Sequence, residues 1–393
     1  MKRIAIISAL SLLIATCREP YVSPVKLPNL GYLVVEGAIN SGQGSTSIFL
    51  SRTTTLDNAA RVSETGAQVW VEDQSGATYH LTEAGGGVYN ISALNLDNSH
   101  KYRLRIVANE KEYVSDYVGV NTSPPIDSLT WSYDADGVHI AASTHDPTGQ
   151  AKYFQWDYTE IWEIHSDYVP NAIYNPYDIY SVVFFNPGAP LAEDSSGFRC
   201  WKTDTSRNII IGSSIKYAVD TLSQVVANVQ HGSEKINIIY SINVRQFSYT
   251  QEGYDFLQKM KKNTEQLGSV FDAQPSELQG NIHSQSDPTE LVVGYVSVCD
   301  VQEKRTFIPG SQLPGWNYSS GCYLLLEDNE DSVIKQKNYL KDGVTAIIVP
   351  FQWQLRTNLP PPFGKILTFT AAPVECVDCS VRGTKTKPPF WPY

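Results

Sequence analysis

Phe154, Trp156, Tyr158, Trp162 and Ile164 alternate with Gln155, Asp157, Thr159, Glu163 and His165. An alternation of period two cannot be laid on a helix. It describes an extended strand with one face on a core and the other towards water. The pattern recurs. Tyr102, Leu104 and Ile106 alternate with Lys101, Arg103 and Arg105, and Ala67, Val69 and Val71 with Gln68, Trp70 and Glu72. A chain written this way must build sheets. The composition agrees: 23 tyrosines against two methionines suit half-buried strands. An apolar content of 42% with 18% charged residues is that of a folded chain.

The expected fold is mainly β, an N-terminal immunoglobulin-like β-sandwich followed by a larger β-rich domain with insertions and at least one helix. Residues 31–122 read as the first unit. They open on the strand-like run Tyr32 to Gly37, turn at Asp73-Gln74-Ser75-Gly76, and turn again at Asn109-Glu110. Thr122-Ser123-Pro124-Pro125-Ile126 breaks the pattern, because paired prolines cannot continue a central strand. Residues 126–393 form the second unit, read as a fibronectin-like core with insertions. A hairpin is expected around Asp134-Ala135-Asp136-Gly137, a turn in preference to a calcium loop, since the further oxygen ligands are missing. Residues 186–235 read as insertions and loops, with Asn208 to Ile211 strand-like among them. Ile236 to Val244 and Leu291 to Val298 read as strands. Between those two runs a helix is expected, with Ser248 and Gln251 as a capping box and Tyr254, Leu257, Met260, Thr264 and Leu267 on its apolar face. The tail carries Phe390 and Trp391 and is expected to dock.

The first residues read as a leader. Lys2 and Arg3 precede the uncharged run Ile4 to Ile14, too short to span a bilayer but suited to a signal-peptide core. Leu13-Ile14-Ala15-Thr16-Cys17 resembles a bacterial lipobox. Residues 1–16 are therefore expected to be a lipoprotein signal peptide, and Cys17 the lipidation site that holds the chain on a membrane. An ordinary secretory signal is the alternative. Residues 17–30 carry Pro20, Pro24 and Pro28 and read as an extended tether. The formal net charge is −11, with lysines dispersed, so nucleic acid is not an expected partner.

Five cysteines follow Cys17: Cys200, Cys299, Cys322, Cys376 and Cys379. Outside the cytoplasm they would oxidise. Two disulfides and one free thiol is the simplest inventory, and fifteen pairings stand open. Cys200, Cys322, Cys376 and Cys379 are the disulfide candidates. The lone C-x-x-C at Cys376 and Cys379 has no second pair for zinc, and no metal or cofactor is expected. The seven histidines stand in no metal spacing, and no nucleophile elbow, phosphate loop or dinucleotide fingerprint occurs. No catalytic residue is assigned and an enzyme is not expected. A hydrolase with unpaired-in-sequence carboxylates is the minor alternative, with Glu160, on the otherwise apolar face of its strand, as its candidate acid. Tyr168, Tyr174, Tyr177 and Tyr180 lie among prolines and asparagines without a regular period. They are the candidate ligand contacts, since loop tyrosines often form recognition surfaces.

Several segments taken together resemble a family of Bacteroidetes lipoproteins, domain-of-unknown-function family 4249. They are Cys17-Arg18-Glu19-Pro20, "YLVVEGAI", "GAQVWVED", "SPPIDSLTW", "GSVFDAQPSELQGNI", "GYVSV" and the closing "CVDCSVRGTKTKPPFW". The resemblance implies a lipid-anchored outer-membrane protein whose partner is a TonB-dependent receptor in nutrient uptake. It implies no activity and no site residue beyond Cys17. The ligand is left open, as is the membrane face, periplasmic or surface-exposed. A surface adhesion or structural module without a small ligand is the other reading that such β folds allow.

Overall fold

The computed structural model describes residues 31–54, 61–168, 172–174, 182–184, 197–216, 221–265, 278–328, 345–355 and 364–392. Cys17 and the leader lie outside them. The chain is mainly β, in large multi-stranded sheets.

The alternating runs of the first unit become Gln68–Asp73, Thr78–Gly85, Lys101–Ala108 and Lys111–Ser115, joined by Leu33–Glu36, Thr46–Arg52 and Val88–Ile91. Thr78–Gly85 serves two sheets. Its first half pairs with Gln68–Asp73 and its second half with Val88–Ile91, so the sheet folds over on itself. Leu33, Ile48, Leu50, Val69, Val71, Leu104 and Ile106 fill the space between the layers and are fully buried. The turn at Asn109 and Glu110 has both residues at positive φ, 50° and 62°. That conformation matches the twist of a tight hairpin.

This unit is completed by residues far along the chain. Ile282–Ser284 pairs with Lys111–Ser115, Val292–Val293 runs parallel to Leu33–Glu36, and Val298–Cys299 runs parallel to Ile39–Asn40. The single strand expected over Leu291 to Val298 is thus broken into two. Gly294 is the reason. It sits at φ 155°, and a β-carbon there would lie 2.4 Å from the Val35 carbonyl oxygen.

The second unit is a sandwich of two antiparallel sheets. One holds Ile126–Tyr133, Gly137–His145 and Thr221–Gln230. The other is built on Tyr153–His165. Ile239–Tyr249 and then Gln302–Pro309 lie on one side of it, and Arg199–Thr205 and Ile210–Ser213 on the other. Phe154, Trp156, Tyr240, Ile242 and Val244 meet Val138 and Ile140 in the core between the sheets. The expected hairpin at Asp134 to Gly137 is present, with the Asp134 amide donating to the Gly137 carbonyl.

Residues 186–235 need correction: the strand-like run at Asn208 to Ile211 is present as Ile210–Ser213, but Arg199–Thr205 and Thr221–Gln230 are two further strands where loops were expected. Thr221–Gln230 shows why it was missed. It pairs with Gly137–His145 through a bulge, with Ile140 opposite Ala227 and Ala141 opposite Val225. The extra residue, Val226, shifts the inward set by one position, and the period is lost.

A third sheet orders Leu325–Asp328, Gly364–Pro373 and Thr345–Leu355, and Ala172–Tyr174 pairs with Val182–Phe184. Two disulfides fasten the C-terminal region. Cys200 bonds Cys379 and Cys322 bonds Cys376, with Cα separations of 5.7 and 5.8 Å. The C-x-x-C is therefore two halves of two different bridges. The tail docks as expected. Trp201 and Thr384 exchange backbone hydrogen bonds, and Trp391 is buried edge-on against Trp201 and Phe307. Its indole donates to Glu163 Oε2 at 2.9 Å. This contact puts Glu163, on the wet face of its strand, only 3% exposed.

The helix runs from Gln251 to Glu265. Ser248 does not cap it, because Ser248 is buried within Ile239–Tyr249 and its amide is used by the Ser123 hydroxyl. Thr250 caps instead, its hydroxyl accepting from the Gly253 amide at 3.3 Å. Gly253, Phe256 and Leu257 form the buried face. A β-carbon at Gly253 would come within 2.7 Å of the Tyr295 ring.

Gln246 joins these parts. Fully buried, it accepts from the Trp156 indole at 2.9 Å. It donates to the Pro124 carbonyl at 2.8 Å and to the Thr144 hydroxyl at 3.2 Å. One amide thus ties both sheets of the second sandwich to the linker from the first. Gln246→Leu strands a buried indole N–H and a buried carbonyl, and should lower unfolding free energy by about 2–4 kcal/mol. Urea unfolding measures this, and an unchanged midpoint would remove Gln246 from the role given to it.

Glu163 makes a second prediction. Burial alone would raise its pKa. Hydrogen bonds from His165, Arg199 and Trp391 outweigh that and hold the carboxyl at about 2, against an ordinary 4.5. A depressed carboxylate contributes stability above its unfolded pKa, and the contribution fades as pH falls through the folded one. Glu163→Gln should therefore melt well below the native chain above about pH 5. The two melting temperatures should converge between pH 4.5 and about 2. A gap independent of pH would contradict this.

Candidate ligand-binding cleft

A cleft of about 400 Å³ lies where the first sandwich, the second sandwich and the helix meet. Its position follows from the strands. The Tyr153–His165 strand sends Phe154 and Trp156 into the core, so Gln155 and Asp157 must face outwards. Arg245 stands opposite Asp157 on the neighbouring strand. The helix adds Phe256, Leu257 and Met260, and the loop after Thr205 adds Ser206 and Asn208. Glu36, Ser45 and Ser47 come from the first sandwich.

The lining mixes two chemistries. Phe247, Tyr249, Phe256, Leu257 and Tyr295 are its main aromatic and apolar residues, and Phe247 stands opposite Gln155 across the strand pair. The charges among the polar residues are matched. Arg245 grips Asp157 with two bonds, Nε to Oδ1 at 2.7 Å and Nη2 to Oδ2 at 2.5 Å. Burial would lower the Arg245 pKa, but those bonds raise it, and the guanidinium stays charged. The guanidinium also lies 5.4 Å from the Phe247 ring centroid. Glu36 pairs with Arg61, and Arg207 with Asp204 at 3.4 Å. Glu265 accepts from the Ile209 amide at 2.6 Å and meets Lys261 at 3.7 Å. Burial raises the Tyr249 and Tyr295 hydroxyls above the ordinary tyrosine value, so both remain neutral donors.

Of the candidate contacts drawn from the sequence, Tyr168 is not on this lining. Tyr168 is half-buried at the disulfide-bonded region, its amide donating to the Cys376 carbonyl at 3.0 Å and its hydroxyl to the Cys322 carbonyl at 3.4 Å. Tyr174 lies on the short strand Ala172–Tyr174, and Tyr177 and Tyr180 lie outside the described residues. Glu160 is buried, as its place in the pattern implies. Its carboxylate accepts from Tyr240 at 2.7 Å and pairs with Lys235, so both oxygens are engaged in a structural ion pair. Among the described residues Cys299 is the free cysteine. Burial pushes its thiol up to about 12, which keeps it protonated at neutral pH. Among the described residues no group of three His, Cys, Asp or Glu side chains is placed to hold a metal ion.

The polar cleft residues on the strands were legible only as wet positions. Gln155 and Asp157 belong to the polar face of the aromatic strand, but nothing in the sequence says that Arg245 and Glu36 face the same space. Those neighbours are set by pairing across long stretches of chain.

A comparison with curated proteins gives no match. Among solved structures, one described as "Complete structure of manganese lipoxygenase of Gaeumannomyces graminis and partial structure of zonadhesin of Komagataella pastoris" is similar at 10% identity with a TM-score of 0.16. It covers 57% of this chain and 91% of its own. A likeness of that size carries no argument. Family comparison is decisive. The model described as "Domain of unknown function (DUF4249)" matches residues 18–305. This span takes in the first sandwich, the second as far as Arg305 in its strand Gln302–Pro309, the helix and every residue lining the cleft, and the chain belongs to that family.

Proposed function

We propose that the chain is a membrane-anchored envelope lipoprotein that binds a small ligand and serves a TonB-dependent outer-membrane receptor in nutrient uptake. The observation that carries the binding role is the cleft, which mixes aromatic and hydrogen-bonding residues at a junction of units. Small-ligand sites favour such junctions and such linings. The leader ending at Cys17 supports the anchor. An extended tether over residues 17–30 would reach on the order of 45 Å. That is enough to hold the fold beside a receptor without placing it in the bilayer. The family resemblance supports the receptor as partner.

Affinity purification of the lipidated chain from its native outer membrane in mild detergent, with mass spectrometry of what accompanies it, tests the proposal. A stoichiometric TonB-dependent receptor is expected. Its repeated absence with the anchor intact would overturn the receptor role and favour an adhesive or structural module.

A further inference from the structure

We infer that the cleft takes a neutral polyhydroxylated ligand, a short uncharged saccharide, an inference that rests on the binding role proposed above. The argument starts from the charges. Each charged side chain on the lining already has an opposite partner: Arg245 with Asp157, Glu36 with Arg61, Arg207 with Asp204, and Glu265 with Lys261. An anion or cation entering the cleft finds no lone opposite charge on the lining to receive it and must compete with a partner already in place.

The neutral groups stand differently. The side chains of Gln155, Asn208, Ser45 and Ser47 line the cleft, and no hydrogen bond within the described residues engages them. Ser45, Ser47 and Asn208 are exposed and Gln155 is half-buried, so they are open to a ligand. Two amides and two hydroxyls supply donors and acceptors at zero charge. Beside them lie aromatic and apolar residues: Phe247, directly opposite Gln155 across the strand pair, Tyr295, and Phe256 and Leu257 of the helix. A pyranose ring offers partners to both kinds of group, with a rim of hydroxyls and a face of C–H bonds. The volume is near the low end of the roughly 300–1,000 Å³ span of small-ligand sites, which suits a short segment.

The test uses the full lipidated chain in detergent and saturation-transfer NMR. The probes are glucose and maltose, glucuronate and glucosamine as their charged counterparts, and a library of neutral and charged fragments. Each is measured on the native chain and on Asn208→Ala, Gln155→Ala and Ser47→Trp, the last filling the cleft from an exposed position. Neutral sugars should bind in preference to both charged ones. Each alanine variant should weaken them about tenfold, and the tryptophan variant should abolish binding. A cleft-dependent preference for glucuronate, glucosamine or a charged fragment would overturn the saccharide class while leaving the binding role standing. No cleft-dependent signal from any probe would overturn both.

Discussion

The side-chain amide of Gln246 is fully buried, and its oxygen and nitrogen are both hydrogen-bonded. A buried amide without partners is costly, so its three bonds act as a positional constraint on whatever they touch. They touch the Trp156 indole at the centre of one sheet, Thr144 on the facing sheet, and Pro124 in the linker. The linker is thereby seated on the second sandwich before it becomes a strand at Ile126. A second crossing lies beside it. Val298–Cys299 pairs with the first sandwich, and Gln302 already belongs to the second. Two short crossings, one pinned by Gln246, leave little freedom for one unit to turn against the other. The cleft between them is built into the fold.

The same economy governs the far end of the chain. Residues that carry no regular period are held by covalent and polar anchors. Cys200–Cys379 ties the closing segment to the long mixed face of the second sandwich, and Cys322–Cys376 ties it to the approach to the third sheet. Bridges that close long loops remove much of the unfolded chain's freedom. Trp391 then seats on Trp201 and Phe307 and shields Glu163, which explains a buried carboxylate on a face that water would otherwise wet.

Much of this was legible in the sequence, and the rest was hidden for identifiable reasons. Strict alternation in Tyr153–His165 and Lys101–Ala108 announced the strands, since a strand between a core and water must alternate. The break at Pro124-Pro125 and the aromatic tail were equally plain. Thr221–Gln230 escaped because a bulge moved its inward set, and the return of residues 282–299 because strands of two or three residues have no period to read. Ser248 resembled a helix cap because the capping motif is local, whereas its burial in a strand is a tertiary fact. The cleft was the least legible part. Its polar residues are drawn from five separate stretches of chain, around Glu36 to Ser47, Gln155 to Asp157, Ser206 to Asn208, Arg245 and Glu265.

Family membership places this architecture in a group described only by its unknown function, so the geometry has to carry the functional reading. That reading depends on the two sandwiches forming one body around the cleft. Hydrogen–deuterium exchange at the amides of Val301 and Ser248 tests it most directly. Val301, where the chain passes into the second sandwich, donates to Asn40 Oδ1 of the first, and Ser248 of the second sandwich donates to the Ser123 hydroxyl of the linker, both at 3.2 Å. If the junction is fixed, these amides exchange as slowly as those of the central strand Tyr153–His165. Rapid exchange there, with the strand amides still protected, would mean that the junction opens as a hinge and that the cleft is not a standing feature of the molecule.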